Sequence, residues 1–194
     1  MSQELPTEPL ITKTTLTAAG TALLAAVVIL AFMGRIWWCK EGDLSPWSWD
    51  IWSTHNSQHF IDPYSITHLL HGVAEFWLIG LIFYKVPLAW RFVMAICLES
   101  TWEVVENTNM IIERYREATM SLDYFGDSIL NSVADILCCG LGFWIAYKLR
   151  FWKSMTLFIV TEIILALTIR DSLILNVIML LCPVEAIKQW QMGG

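Results

Sequence analysis

From Thr14 to Gly34 the chain carries no charged residue, and most of that stretch is apolar. A run of this kind can cross a hydrocarbon core of about 30 Å, which takes roughly 20 residues of α-helix. Only Lys13 precedes it closely, the apolar stretch is long for a signal peptide, and no convincing small-residue cleavage site follows, so it reads as a retained span. Four more runs follow. The expected spans are Leu16 to Ile36, Ile66 to Tyr84, Leu88 to Ile112, Phe125 to Tyr147 and Ser154 to Ile169.

A sixth apolar run, Leu173 to Cys182, stops at Pro183 and is followed by Glu185. Its length suits a re-entrant or interfacial piece as readily as a span, and the sequence leaves that open. The expected fold is all-α: a polytopic transmembrane helix bundle of five spans plus this unsettled C-terminal segment. A hydrophobic fraction of 56%, a mean hydropathy of +0.55 and 11 tryptophans agree with a multi-pass membrane protein. Residues 1–15, with Glu4, Pro6, Glu8 and Pro9, read as a flexible N-terminus, and 16–194 as one transmembrane domain.

Lysine and arginine near span ends set the orientation. Lys85 and Arg91 flank one turnaround, and Lys148, Arg150 and Lys153 flank another, which places both on the cytoplasmic side with the N-terminus. A tryptophan-rich loop at 37–65 then faces outward. The third turnaround fits less well, because Arg114 and Arg116 lie there, accompanied by Glu113, Glu117 and Asp123. Cys39 is the one thiol expected in an outward loop; the other cysteines fall in spans and read as small apolar residues. A net charge of -6 excludes nucleic acid as a partner, since no basic stripe exists to neutralise phosphates.

Charge inside a bilayer is expensive, so intramembrane acids point to a site. Glu99, Glu103 and Glu106 recur at helical spacing on span three with Asn107 beside them. Asp127, Asn131 and Asp135 do so on span four, and His68, His71 and Glu75 on span two, with Gly72 permitting close approach. Helical rise places His68, His71, Glu106 and Asp127 together near the outer boundary, Glu99 and Asp135 near mid-bilayer, and Glu75, Glu103 and Asn131 between. Six carboxylates with two histidines call either for protonation of several acids or for a bound cation.

The donor set admits zinc, manganese, iron or magnesium without choosing among them. The expected ligands are His68, His71, Glu103, Glu106 and Asp127, with Glu99 or Asp135 as proton carrier. Glu75, Asn107, Asn131, His55, His59, Arg114 and Arg116 rank second. His55 and His59 read more readily as solvated loop side chains, and the two arginines as partners of neighbouring acids, although a lipid headgroup would suit them. Pro63, in DPYS, separates the loop from the helix carrying His68. Glu162, isolated in span five, could join the site or pair with Arg170.

HNSQHFIDPYSITHLLHG, LESTWEVVENTNMIIERYREATMSLDYFGDSILNSVADILCCGLGF and IRDSLILNVIMLLCPVEAIKQWQ together resemble uncharacterised protein family 0314, also called domain of unknown function 2585, found mainly in alphaproteobacteria. The resemblance runs from about Gly34 to Gln191. It implies a multi-pass bacterial inner-membrane protein and brings no reaction with it. Four histidines are too few for the histidine-box desaturases, and GDSILNSVAD lacks the DG and AR pairs of CDP-alcohol phosphotransferases.

The leading expectation is a membrane-embedded metal-dependent enzyme, hydrolase or transferase, acting on a lipid or lipid-linked substrate at the outer face. A non-catalytic accessory subunit of a larger membrane complex suits a small, tryptophan-rich chain equally, with other membrane subunits as partners. A proton or ion pathway is disfavoured, because the cytoplasmic halves of spans two to four carry almost no acids.

Overall fold

The computed structural model describes residues 10–119 and 124–193. Asp123 and the N-terminal residues 1–9, part of the stretch expected to be flexible, lie outside them. The described residues form seven helices: α1 Lys13–Phe32, α2 Pro63–Ile82, α3 Leu88–Glu106, α4 Asn109–Ala118, α5 Ile129–Ile169, α6 Leu173–Leu181 and α7 Glu185–Gln191. Among these residues there is no strand, only an isolated bridge between Trp47 and Ile61 in the long loop. The architecture is all-α, and three helices, α1, α2 and α5, are long and apolar enough to cross a bilayer. Their outward faces are apolar too: Phe32 is 88% exposed, Leu81 76% and Leu167 77%.

Local sequence explains most helix ends. Thr12 and Thr15 form a reciprocal capping box on α1, and Asp62 and Ser65 do the same on α2, with Pro63 in the first turn. The span expected from Leu88 to Ile112 stops at Glu106, because Asn107 turns its side chain to Asp127 and Thr108 is extended. Beyond that break, α4 buries Ile112, Tyr115 and Ala118. The span expected from Phe125 begins only at Ile129, where the Ser128 side chain accepts from the Asn131 N–H, leaving Asp127 in the preceding loop.

The two expected spans at 125–147 and 154–169 belong to one element, α5, broken at Arg150, whose φ of 63° and ψ of 178° lie outside helical space. A straight helix of 41 residues would be about 60 Å long. Instead both ends reach the start of α2: the Ser128 N–H donates to Ser57 O at 2.9 Å, and Tyr64 donates to Asp171 at 3.2 Å. The limbs 129–149 and 151–169 therefore run in opposite directions. The nine-residue α6 is about 14 Å long, well short of a hydrocarbon core.

The main core is shared by α1, α2, α3 and α5, centred on the fully buried Phe143, which meets Phe76 and Phe92 edge-on. Within it α2 and α5 touch backbone to backbone. A Cβ on Gly72 would lie 1.9 Å from Cys139 O, and one on Gly142 would lie 1.9 Å from Leu69 O. Each helix therefore offers the other a residue with no side chain, the close approach that small residues allow between membrane helices.

Candidate functional site

The glycine contact fixes which polar side chains meet. His68 lies one turn before Gly72, and Asp135 two turns before Gly142, so both lie on the faces that the glycines press together. The acid-bearing face of α3 closes the third side. His68 Nδ1 is bonded to Glu99 and lies 3.3 Å from Glu103 Oε1, while its Nε2 lies 3.9 Å from Asp135 Oδ2. His71 Nδ1 lies 3.0 Å from the other Glu99 oxygen. One carboxylate thus spans two histidines, and one imidazole faces three acids.

These groups are buried: Glu103 is 0% exposed, Glu99 1% and Asp135 2%. Among the described residues, the basic partner in every close acid–base pair is a histidine rather than a lysine or arginine. Glu103 Oε2, Asp135 Oδ1 and Glu106 Oε2 have no hydrogen-bond partner, and Glu103 Oε1 has only the His68 contact at 3.3 Å. Buried oxygens left in that condition are costly unless a proton or cation meets them. Two sets, His68–His71–Glu99 and His68–Glu103–Asp135, each hold their ligand atoms within 4.8 Å of one another, so either could hold a metal ion. Nitrogen and carboxylate donors of this kind fit a divalent cation. Glu75 belongs to a third set with Glu99 and Cys139, whose thiol lies 3.2 Å from it.

The geometry regroups the expected ligands. Glu99, expected deep in the bilayer, sits opposite both histidines, whereas Glu106 and Asp127 fall in none of the metal-capable sets. Asp127 is already engaged: Tyr124 donates to one oxygen at 2.9 Å and Asn107 to the other at 2.9 Å, while the Asp127 N–H returns a bond to Asn107 at 2.8 Å. Asn131 donates to His59 O at 2.9 Å and so ties the long loop between α1 and α2 to α5. Arg114 donates to Leu180 O at 2.9 Å, and Arg116 to Tyr124 O, so both guanidiniums hold main-chain carbonyls. His55 and His59 lie away from the acid cluster, in a group with Cys39.

The cluster opens into a cleft with an empty volume of about 670 Å³, mouth included. Its polar lining includes His68, His71, Glu106 and Asp135; its apolar wall is Leu173, Val177 and Leu180, one face of α6. Glu162 fixes that wall by accepting from the Leu173 and Ile174 N–H groups at 2.9 and 3.0 Å, which settles a role the sequence left open. Asp171 also lines the cleft and accepts from Tyr64, Asn176, Ser172 and Gln191. Burial pushes its carboxyl up to about 6, against those donors.

Sequence reasoning missed Asp171, Tyr64 and Trp102, which sits edge-on to His71, together with Cys39. Asp171 had one usable signal, its position beside Ser172, the cap of α6.

Comparison with known proteins places the chain. No solved structure matches it. It is 46% identical over 181 residues to a UPF0314 protein of Brucella anthropi, covering 90% of this chain and 92% of that one. It is similarly 46% identical over 181 residues to one from Sphingopyxis alaskensis (91% and 93% covered), and 43% identical over 174 residues to one from Paracoccus denitrificans (90% and 90%). A family described as "Protein of unknown function (DUF2585)" matches residues 30–193, and with those relatives the chain belongs to that family.

Proposed function

We propose that the protein is a membrane-embedded, metal-dependent enzyme of hydrolase or transferase type, acting on a lipid or lipid-linked substrate at the outer face of the bacterial inner membrane. The observation that carries this reading is a set of buried, unpartnered carboxylate oxygens beside two histidines in a cleft with an apolar helix for one wall. His68, Glu103 and Asp135, the set that carries the unpartnered oxygens, would hold the cation, with Glu99, which His71 also contacts, orienting His68. When bound there, a divalent cation would supply Lewis acidity toward a carbonyl or phosphoryl oxygen, or toward water. Glu106, on the cleft lining with one oxygen unpartnered, is placed to exchange a proton with a bound substrate. Leu173, Val177 and Leu180 receive the apolar part of an amphiphile, leaving its polar end toward the acids.

In this reading the chain crosses the membrane five times, through α1, α2, α3 and the two limbs of α5, and α6 lies against the cleft without crossing. Lys85, Arg91, Lys148, Arg150 and Lys153 gather at the end of the bundle opposite the cleft, which supports a cytoplasmic N-terminus and an outward cleft.

Metal analysis of detergent-purified wild type against His68→Ala and Glu103→Gln tests this. The expected result is a divalent metal near one per cluster in wild type and its loss in both variants. A cluster without metal would overturn the reading, and co-purification with other membrane subunits would then favour the accessory role.

A further inference from the structure

Outside the acid cluster, Cys39, His55 and His59 bring a thiol and two imidazoles together in the loop between α1 and α2. We propose that these three side chains, with Asp43, form a zinc site that fastens this loop over the outer end of the bundle. Cys39 Sγ lies 3.4 Å from His55 Nδ1, and His55 Nδ1 lies 3.0 Å from His59 Nε2. A zinc tetrahedron with bonds of about 2.0 Å to nitrogen and about 2.3 Å to sulfur separates its ligand atoms by about 3.3 to 3.6 Å. The observed spacings are close to those of an assembled ligand shell.

Hydrogen bonding fixes which nitrogen is free. His59 Nδ1 lies 2.6 Å from Ser45 O, a carbonyl that can only accept, so this nitrogen carries the ring proton. The neutral ring then presents a bare lone pair at Nε2, toward His55 and Cys39. A carbonyl orienting the far nitrogen is the usual support of a zinc-bound histidine. Asp43 Oδ2 lies 3.9 Å from the same Nε2, and its other oxygen accepts from the Ser45 N–H at 2.9 Å, which aims the carboxylate inward. The single proton available to His55 Nδ1 can serve either the sulfur or Nε2. A cation serves every one of these atoms.

The environment suits a structural site whose solvent side is closed by the half-exposed Asp43. His59 is 0% exposed and Cys39 5%, and Trp38 packs edge-on against His59. Thiolate with two imidazoles selects zinc over the harder cations. The segment 55–59 is also one of the parts of the loop that grip the bundle, because the Gln58 side chain donates to Gly126 O at 2.8 Å and the Gln58 main-chain carbonyl accepts from the Ser128 hydroxyl at 3.1 Å. Binding Cys39 and Asp43 to His55 and His59 therefore joins the exit of α1 to the cover of α5, and Asn56 and Ser57 of that cover line the cleft.

The test uses the full-length protein in detergent, loaded with Zn²⁺ or Co²⁺ alone. Cobalt should give a thiolate-to-metal charge-transfer absorption in wild type and Cys139→Ser, and none in Cys39→Ser. Its absence from wild type, or its survival in Cys39→Ser, would overturn the site. A readout independent of how Cys39→Ser folds is alkylation of Cys39 in unmutated protein: chelation should accelerate it at least about 10-fold, and added zinc should reverse that. Equal rates with and without zinc would overturn the proposal. The same zinc protection should persist in His68→Ala, where the cleft metal is absent; its loss there would refute an independent loop site.

Discussion

His71 Nδ1 lies 3.0 Å from Glu99 Oε2, and His68 is bonded to the opposite oxygen of the same carboxylate. One glutamate of α3 thereby sets the position of two side chains on α2. Glu99→Gln should lower metal content or affinity by on the order of 100-fold, whereas Asp127→Asn, whose oxygens already accept from Tyr124 and Asn107, should cost about 10-fold or less. Metal titration of the two variants side by side measures this. Equal losses would mean that the Asp127 bonds give way to the cation.

Gly72→Ala and Gly142→Ala should each destabilise the bundle by about 1 to 3 kcal/mol, since either Cβ would meet a main-chain carbonyl at 1.9 Å and force α2 from α5. Thermal unfolding in detergent reads the change. Gly20→Ala, inside α1 with nothing within 4 Å, is the control and should raise stability by up to about 1 kcal/mol through helix propensity alone. An undisturbed midpoint for Gly72→Ala would show that the helices separate without cost.

Asp171 gives a pH dependence of definite sign. Its carboxyl titrates near 3.8 when unfolded and is pushed up to about 6 by burial, so between those values the folded protein keeps a proton that the unfolded chain has released. Stability should therefore fall as pH rises from about 4 to about 6, by about 3 kcal/mol at most. Asp171→Asn should flatten that part of the stability profile. A profile of unchanged slope would assign the dependence to other groups.

Glu162→Ala should release the Leu173 and Ile174 N–H groups and loosen α6, at a cost of about 1 kcal/mol. Amide exchange at 173–176 should quicken relative to α2. If it does not, Ser172 alone is enough to start the helix.

The polar stripes were legible because helical spacing writes them into the sequence: His68 with His71, Glu99 with Glu103, and Asn131 with Asp135 each share a face. The partners across the gap were not. The sequence levels Glu106 with the histidines, but α2 starts at Pro63, putting His68 more than a turn inside it, and α3 ends at Glu106. The partner of His68 is accordingly Glu99, seven positions and about 10 Å further along. Caps such as Asp62 with Pro63 were readable from adjacent residues. The α6 wall and the grouping of Cys39 with His55 and His59 depend on contacts between distant segments, which no local period encodes.

The reversal at Arg150 also orders events in time. Every acid of the metal-capable cluster, from Glu99 to Asp135, is synthesised before the limb 151–169 carries the chain back to α2 and delivers α6. The acids can therefore come together as an uncovered polar notch before the returning limb docks and supplies the apolar wall. Where the chain turns thus decides that the acids, and not the apolar wall, are the first half of the site to leave the ribosome.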